Sequence, residues 1–240
     1  MLSALSPRFA FAMGGDDRFH VGQLAWGKTG WDTRPTAIRR MLQEVEKRTS
    51  VEVNTEIDAV NFGPEMFDYP MLFMSGEVGF EPWSDERIDM LGTWLKGGGF
   101  LVVDSSEGVS DGPFLRSVRR ELDRIFGSES SRTVPKEHVL YKSFYFISEP
   151  KGRVQASPTL DAYFDDDRIP VVICANDMLG AWARDGFGRW EFDVVDSDPR
   201  AREMSLRLGI NLVMYALCVN YKDDQVHTMT ILKRRQWKVD

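Results

Sequence analysis

Short apolar runs and amphipathic stripes alternate along most of the chain. The run from Phe19 to Trp26 predicts a strand, and apolar positions spaced at i, i+3, i+4 and i+7 from Ile38 to Val45 predict a helix that ends near Arg48. The further predicted strands are Val51 to Val60, Tyr69 to Ser75, Phe100 to Val103 and Val171 to Ala175, and the further predicted helices are Ser84 to Gly97, Pro113 to Phe126 and Pro199 to Cys218. Regular alternation of this kind predicts an α/β fold with a mostly parallel sheet.

The stretch at about 127–168 is less regular, and we predict an insertion with short strands around Tyr141 to Ile147. No linker, internal repeat or low-complexity tract divides the chain. The sequence therefore predicts one domain over 18–240, preceded by a segment at 1–17. In that segment Ala10-Phe11-Ala12 has the form of a signal-peptidase site, although no adequate apolar region precedes it. On the form of this site we expect export to the periplasm rather than a cytoplasmic location.

Charge and hydropathy exclude two classes of partner. A net charge of −7 disfavours non-specific nucleic-acid binding, which requires basic surface. The longest apolar stretch, Leu212 to Val219, is far shorter than the roughly 20 residues of a membrane span.

Cys174 and Cys218 lie inside apolar runs, which predicts two buried thiols and neither a disulfide nor a metal site. We predict no cofactor, and the expected partner is an unknown protein or a small molecule.

The candidate site is the edge of the sheet where parallel strands end, because ligands of open α/β sheets bind there. The polar or flexible residues that follow the predicted strands are Ser75, Gly76, Glu77, Asp104, Ser105, Ser106, Glu107, Asn176 and Asp177. The catalytic candidates are Asp104, Ser105 and Asp177, together with His138 of the irregular segment. The candidates for ligand binding are Ser75, Gly76, Glu77 and Trp31.

None of these candidates forms a complete catalytic motif. Ser105 stands at a suitable corner but lacks the G-x-S-x-G spacing of a nucleophile elbow. Glu77, Asp104, His138 and Asp177 have no spacing typical of a metal site. The glycines from Gly97 to Gly99 close a helix, whereas a phosphate loop opens one.

Several segments together resemble one family: RFHVGQLAWG followed by RPTAIRRMLQEVEKRTSVEV, then FDYPMLFMSGEVGF, GGGFLVVDSS, LGINLVMYAL and YKDDQVHTMTILKRR. The family is an uncharacterised bacterial domain-of-unknown-function family, and the resemblance covers about residues 18 to 236. It implies a flavodoxin-like three-layer sandwich of the class I glutamine amidotransferase type. Those enzymes carry a nucleophilic cysteine at the turn after a central strand, where this chain has Asp104 and Ser105, so the resemblance implies that glutaminase activity is absent.

Three functions remain open on the sequence. The first is a non-catalytic module that binds a ligand or partner. The second is a hydrolase-type enzyme that uses Asp104 with His138 or Asp177, with or without a metal ion. The third is a flavin protein, for which Gly27 to Gly30 is only a passable phosphate cradle.

Overall fold

The structure is a computed structural model that describes residues 18–236. The Ala10-Phe11-Ala12 sequence, on which the expectation of export depends, lies outside the described residues. Seven strands are present in this part of the chain: β1 (Val21–Leu24), β2 (Asp58–Val60), β3 (Met71–Gly76), β4 (Phe100–Ser105), β5 (Ser131–Thr133), β6 (Asp161–Asp165) and β7 (Arg168–Cys174). The α-helices are α1 (Ala37–Arg48), α2 (Asp85–Lys96), α3 (Pro113–Phe126), α4 (Met178–Trp182) and α5 (Pro199–Gln236).

All seven strands form one sheet in the order β2-β1-β3-β4-β7-β6-β5. The first five strands of that order are parallel, and β6 and β5 extend the sheet in antiparallel fashion. The parallel part follows the doubly wound order 2-1-3-4-5, in which the direction of winding reverses between β1 and β3. The predicted α/β class with a mostly parallel sheet is confirmed.

Helices cover both faces of the sheet and give the fold three layers. On one face α1, α4 and α5 pack together, and on the other α2 packs against α3. Alternate residues of the strands enter the two cores: Phe73 and Val102 face the α1 side, whereas Met74 and Val103 face the α2 side. Every residue of β3 and β4 is buried, as expected for central parallel strands that are covered on both faces.

The segment at 127–168 is the part that the sequence predicted least well. Its two strands are β5 and β6, which add to the main sheet, and Val139–Tyr141 is a turn of 3-10 helix. The prediction of strands around Tyr141 to Ile147 is therefore wrong. Residues Tyr141 and Ile147 instead bury their side chains in the core beside α5.

Two further expectations require correction. The last helix continues to Gln236 and does not end near Cys218. Cys174 is buried at the end of β7, but Cys218 is exposed on α5, so the prediction of two buried thiols is wrong for the second one. Among the described residues, no helix combines the length and the apolar composition that crossing a bilayer requires.

Candidate functional site

The carboxyl ends of β3, β4 and β7 meet at one edge of the sheet. Ser75 pairs with Asp104, and Asp104 pairs with Cys174. Asn176 and Asp177 follow β7 after one intervening residue and enter the same region. The structure therefore brings three of the sequence-selected positions, Ser75, Asp104 and Asp177, to one place, which we call the strand-end edge.

Asp104 is fully buried and holds the start of α4. One carboxylate oxygen accepts a hydrogen bond from the amide of Met178 and the other from the amide of Leu179, each at 2.8 Å. Burial, and then the nearby charge of Asp177, raise the pKa of Asp104 to about 8, although the two amides oppose that shift. Both oxygens of this side chain are thus engaged inside the protein.

Asp177 is also fully buried, and it joins three parts of the chain. One oxygen accepts a hydrogen bond from the Gly180 amide at 2.9 Å and so caps α4. The other forms ion pairs with Arg34, at 2.9 Å, and with Arg153. Its backbone lies in the left-handed region with a φ of 50°, which is uncommon for a residue other than glycine. The carboxylate charge is therefore balanced by two guanidinium groups from distant loops.

Asn176 fastens the loop that covers this edge. Its side-chain nitrogen donates to the carbonyls of Pro150 and Ser157 at 3.0 and 2.9 Å, and its side-chain oxygen accepts from the Ser157 amide at 2.8 Å. Gly152 lies so close that a Cβ atom there would collide with the Asn176 backbone. The loop from 150 to 157 is therefore packed tightly onto the strand ends.

The crevice between β1 and β3, where doubly wound proteins bind ligands, is filled by the loop after β1. Ser75 donates to the Trp31 carbonyl at 2.9 Å and accepts from Gln23 and Thr33 at 3.2 and 3.0 Å. Thr33 also lies 2.9 Å from the Ser106 hydroxyl. Trp31 itself is half-buried against the core, so its ring is not a free stacking surface. This network occupies the polar groups that a ligand would otherwise contact.

The remaining ligand-binding candidates have different environments. Gly76 is buried, and a Cβ atom there would collide with the ring of Phe114, which explains the glycine by packing. Glu77 and the neighbouring Val78 are exposed. Of the four residues predicted to bind a ligand, Glu77 alone has an exposed side chain.

Ser105 is tied to a helix cap and not to a base. Its hydroxyl donates to Glu107 at 3.1 Å, and the same carboxylate accepts from the amides of Phe114 and Leu115 at the start of α3. A serine nucleophile needs a neighbouring group that is able to take its proton. Here the neighbouring carboxylate already serves the helix.

His138 lies toward the opposite end of the strands from Asp104. Its ring packs 5.8 Å from that of Tyr215, whose hydroxyl accepts a hydrogen bond from Ile169 near the start of β7. Asp104 pairs with Cys174 at the end of β7, five residues further along, which corresponds to about 16 Å of extended strand. The structure therefore does not bring His138 and Asp104 together.

The chemistry of a thiol or a metal ion finds little support at this edge. Burial, and then the charge of Asp104, raise the pKa of the Cys174 thiol well above its usual range, so the thiol stays protonated at neutral pH. Among the side chains that the structure describes, no three from His, Cys, Asp or Glu are grouped so that they could hold a metal ion.

Sequence reasoning did not identify Arg34 and Arg153, although they determine the charge of the strand-end edge. Both guanidinium groups also lie over the ring of Phe192, at 4.5 and 5.9 Å from its centroid. Arg34 is 143 residues from Asp177 and Arg153 is 24 residues from it, so no local motif connects them.

Comparison with known proteins identifies the family. The model of a family described as a domain of unknown function, DUF4159, matches residues 20–217. The chain therefore belongs to that family. No curated protein matches the sequence.

Proposed function

We propose that this member of the DUF4159 family is a non-catalytic module that binds a ligand or a protein partner. The observation that carries the proposal is the internal use of the polar side chains at the strand-end edge. Both oxygens of Asp104 hold α4, and the Asp177 carboxylate is bound by two arginines and an amide. An enzyme keeps such groups within reach of a substrate, whereas here they fix loops.

The proposal includes a relationship to class I glutamine amidotransferases. The doubly wound strand order and the antiparallel extension by β6 and β5 are compatible with it. The corner after β4, where those enzymes carry their cysteine, has Asp104 and Ser105 in this chain. Without a thiolate at that corner, the thioester route to glutamine hydrolysis is closed. The Ala10-Phe11-Ala12 sequence supports export of the protein, and N-terminal sequencing of the protein recovered from periplasm and cytoplasm tests that location.

The surface that we assign to binding is the exposed rim around the strand-end edge. Val78, in the loop after β3, and Val109, in the loop after β4, are 55% and 49% exposed. Both follow the carboxyl ends of central strands, where the loops of α/β proteins carry their function.

The experiment is an activity panel that covers amidase, esterase, phosphatase and glycosidase substrates, with glutamine included. We expect background turnover for the wild type and for Ser105→Ala, a variant that removes one hydroxyl at the corner. Robust turnover that Ser105→Ala or Asp104→Asn abolishes, in a variant with native circular dichroism, would overturn the proposal.

A second candidate function is acid–base catalysis by Asp104 and Asp177. The observation in its favour is the raised pKa of Asp104, since strongly perturbed groups at strand ends are concentrated in active sites. A pH–rate profile with a limb near the pKa of Asp104, lost in Asp104→Asn, would support this alternative. If no such pH-dependent turnover is found at any pH, the binding module remains the conclusion.

A further inference from the structure

Trp190 lies between two arginines, outside the strand-end edge. The guanidinium carbon of Arg184 is 3.4 Å from the ring centroid of Trp190, and that of Arg202 is 4.2 Å from it. Both guanidinium groups are thus in cation–π contact with the same indole. Arg40 of α1 lies 5.8 Å from the same centroid. Three positive charges therefore surround one aromatic ring.

Carboxylates act on Arg184 and Arg202 only from beyond ion-pair distance: Glu44 and Asp185 on Arg184, and Asp193 on Arg202. Arg184 donates to the Gly188 carbonyl at 2.6 Å, and its Nε atom is buried without a partner. Arg202 is only 8% exposed and donates to the carbonyls of Ala181 and Phe192. None of the side chains that the structure describes forms an ion pair with either. Burial, followed by repulsion from a neighbouring arginine, lowers the pKa of both guanidinium groups.

A cavity of about 500 Å³ opens beside this cluster, between α1 and the start of α5. Four basic side chains line it together with Trp190: Arg40, Lys47, Arg48 and Arg202. We call this cavity the Arg–Trp pocket. Its volume lies in the range of sites for small molecules, about 300–1,000 Å³, and is much larger than a free phosphate ion requires.

Acidic side chains also line the pocket, but two of them are already neutralised. Glu44 is buried and pairs with Arg40 and Arg48, and Glu203 pairs with Arg48 and with Arg207. Asp193 is exposed at the rim. Arg202 and Lys47 are thus the basic side chains of the wall that form no ion pair with a described carboxylate, and Asp193 attracts Arg202 only from a longer distance.

We propose that the Arg–Trp pocket binds the phosphate group of a small phosphorylated molecule. A phosphate would place negative charge beside Arg202 and Lys47, the two basic side chains of the wall that form no ion pair, and hydrogen bonds between charged groups are stronger than neutral ones. The rest of the ligand would occupy the remaining volume beside Trp190. This site is separate from the strand-end edge, and the proposal holds whether or not that edge is catalytic.

Calorimetric titration of the full chain at low salt tests the proposal with four probes: inorganic phosphate, pyrophosphate, ADP and adenosine. We expect the three phosphate-bearing probes to bind and adenosine not to bind. Tighter binding of ADP than of inorganic phosphate would indicate a phosphorylated molecule as the ligand, and equal affinity would indicate free phosphate.

Three variants locate the binding. Arg202→Gln should weaken it by about tenfold or more, because it removes a buried charged donor. Lys47→Gln should weaken it by up to about fivefold, since Lys47 is exposed. Arg39→Gln is the matched control, because Arg39 is an exposed residue of the same helix that does not line the pocket. If Arg202→Gln does not fold, Lys47→Gln and Arg39→Gln decide together. Absence of binding for every phosphate-bearing probe at millimolar concentration, or an equal loss in Arg39→Gln, overturns the proposal.

Discussion

At the strand-end edge, Asp104 and Asp177 are completely buried, and amides or guanidinium groups engage their oxygens. Around Trp190, Arg184 and Arg202 have backbone carbonyls as hydrogen-bond partners, and no carboxylate among the described side chains lies within ion-pair distance of them. A buried polar network with all partners in place fixes a structure, whereas a charged side chain without an ion pair, such as the buried Arg202, gains free energy when an anion binds beside it. The comparison therefore assigns a structural role to the buried carboxylates of the first region, whose exposed rim is the proposed surface for a partner, and a phosphate-binding role to the second.

Asp177→Ala should give the largest effect. The change leaves Arg34 and Arg153 without their carboxylate and removes the cap of α4, and breaking a buried ion pair costs about 3–5 kcal/mol. Urea denaturation measures the free energy of unfolding. The control is Asp85→Asn, which affects an ion pair whose carboxylate side chain is 96% exposed and should cost at most about 1 kcal/mol. Equal losses in the two variants would contradict the structural role of Asp177.

Gly152→Ala tests how tightly the covering loop is packed. The added methyl group would collide with the Asn176 backbone, and overpacking of this kind costs about 1–3 kcal/mol. Hydrogen exchange should show faster opening of residues 150–157. Gly186→Ala is the matched control, since no atom lies within 4 Å of a Cβ placed there. Unchanged exchange in Gly152→Ala would show that the loop is not clamped.

The helices and strands differ in how well the sequence predicts them. The predicted helix at Pro113–Phe126 agrees with α3 at both ends, because a first-turn proline and a strong amphipathic stripe mark it locally. Strand β6 was missed, since the five residues Asp161–Asp165 include an acid at each end and give no long apolar run. Periodicity detects elements that bury one face, and it is weak for short strands.

The composition of the strand-end edge was predictable, but its chemistry was not. Parallel strands end at one edge, so Ser75, Asp104 and Asp177 had to be near one another. The partners of Asp177 come from loops far away in sequence, and only the folded chain shows that its charge is neutralised. For the same reason the cluster around Trp190, which combines residues from α1, α5 and the turn after α4, left no local motif.

The contribution of Asp104 to the stability of the folded protein should fall as pH rises from about 5 to 8. Its pKa is about 8 in the folded state and about 3.9 in an unfolded chain. The folded state therefore binds the extra proton in this window, and its stabilising contribution is lost as pH rises toward 8, by at most about 1.4 kcal/mol per pH unit. The difference in unfolding free energy between wild type and Asp104→Asn should carry this slope. A difference that does not change with pH, or that rises, would contradict the raised pKa.

Arg184→Met should give the smallest effect. It removes one hydrogen bond and one contact with Trp190, but it also relieves repulsion from Arg40, so the net change in stability should be below about 1 kcal/mol. Arg34→Met is the matched comparison and should cost more, because Arg34 neutralises buried Asp177. A larger loss in Arg184→Met than in Arg34→Met would reverse the assignment of the two regions.

The most direct test of the account is thermal unfolding of wild type, Asp104→Asn and Lys47→Gln with and without ADP. At a concentration 100 times its dissociation constant, a ligand stabilises by about 2.7 kcal/mol, which raises Tm by roughly 5–10 °C for a chain of this size. We predict this increase in wild type and in Asp104→Asn, and a smaller one in Lys47→Gln at the same ADP concentration. An increase that Asp104→Asn abolishes and Lys47→Gln leaves intact would place the ADP site at the strand-end edge and contradict the assignment of phosphate binding to the Arg–Trp pocket.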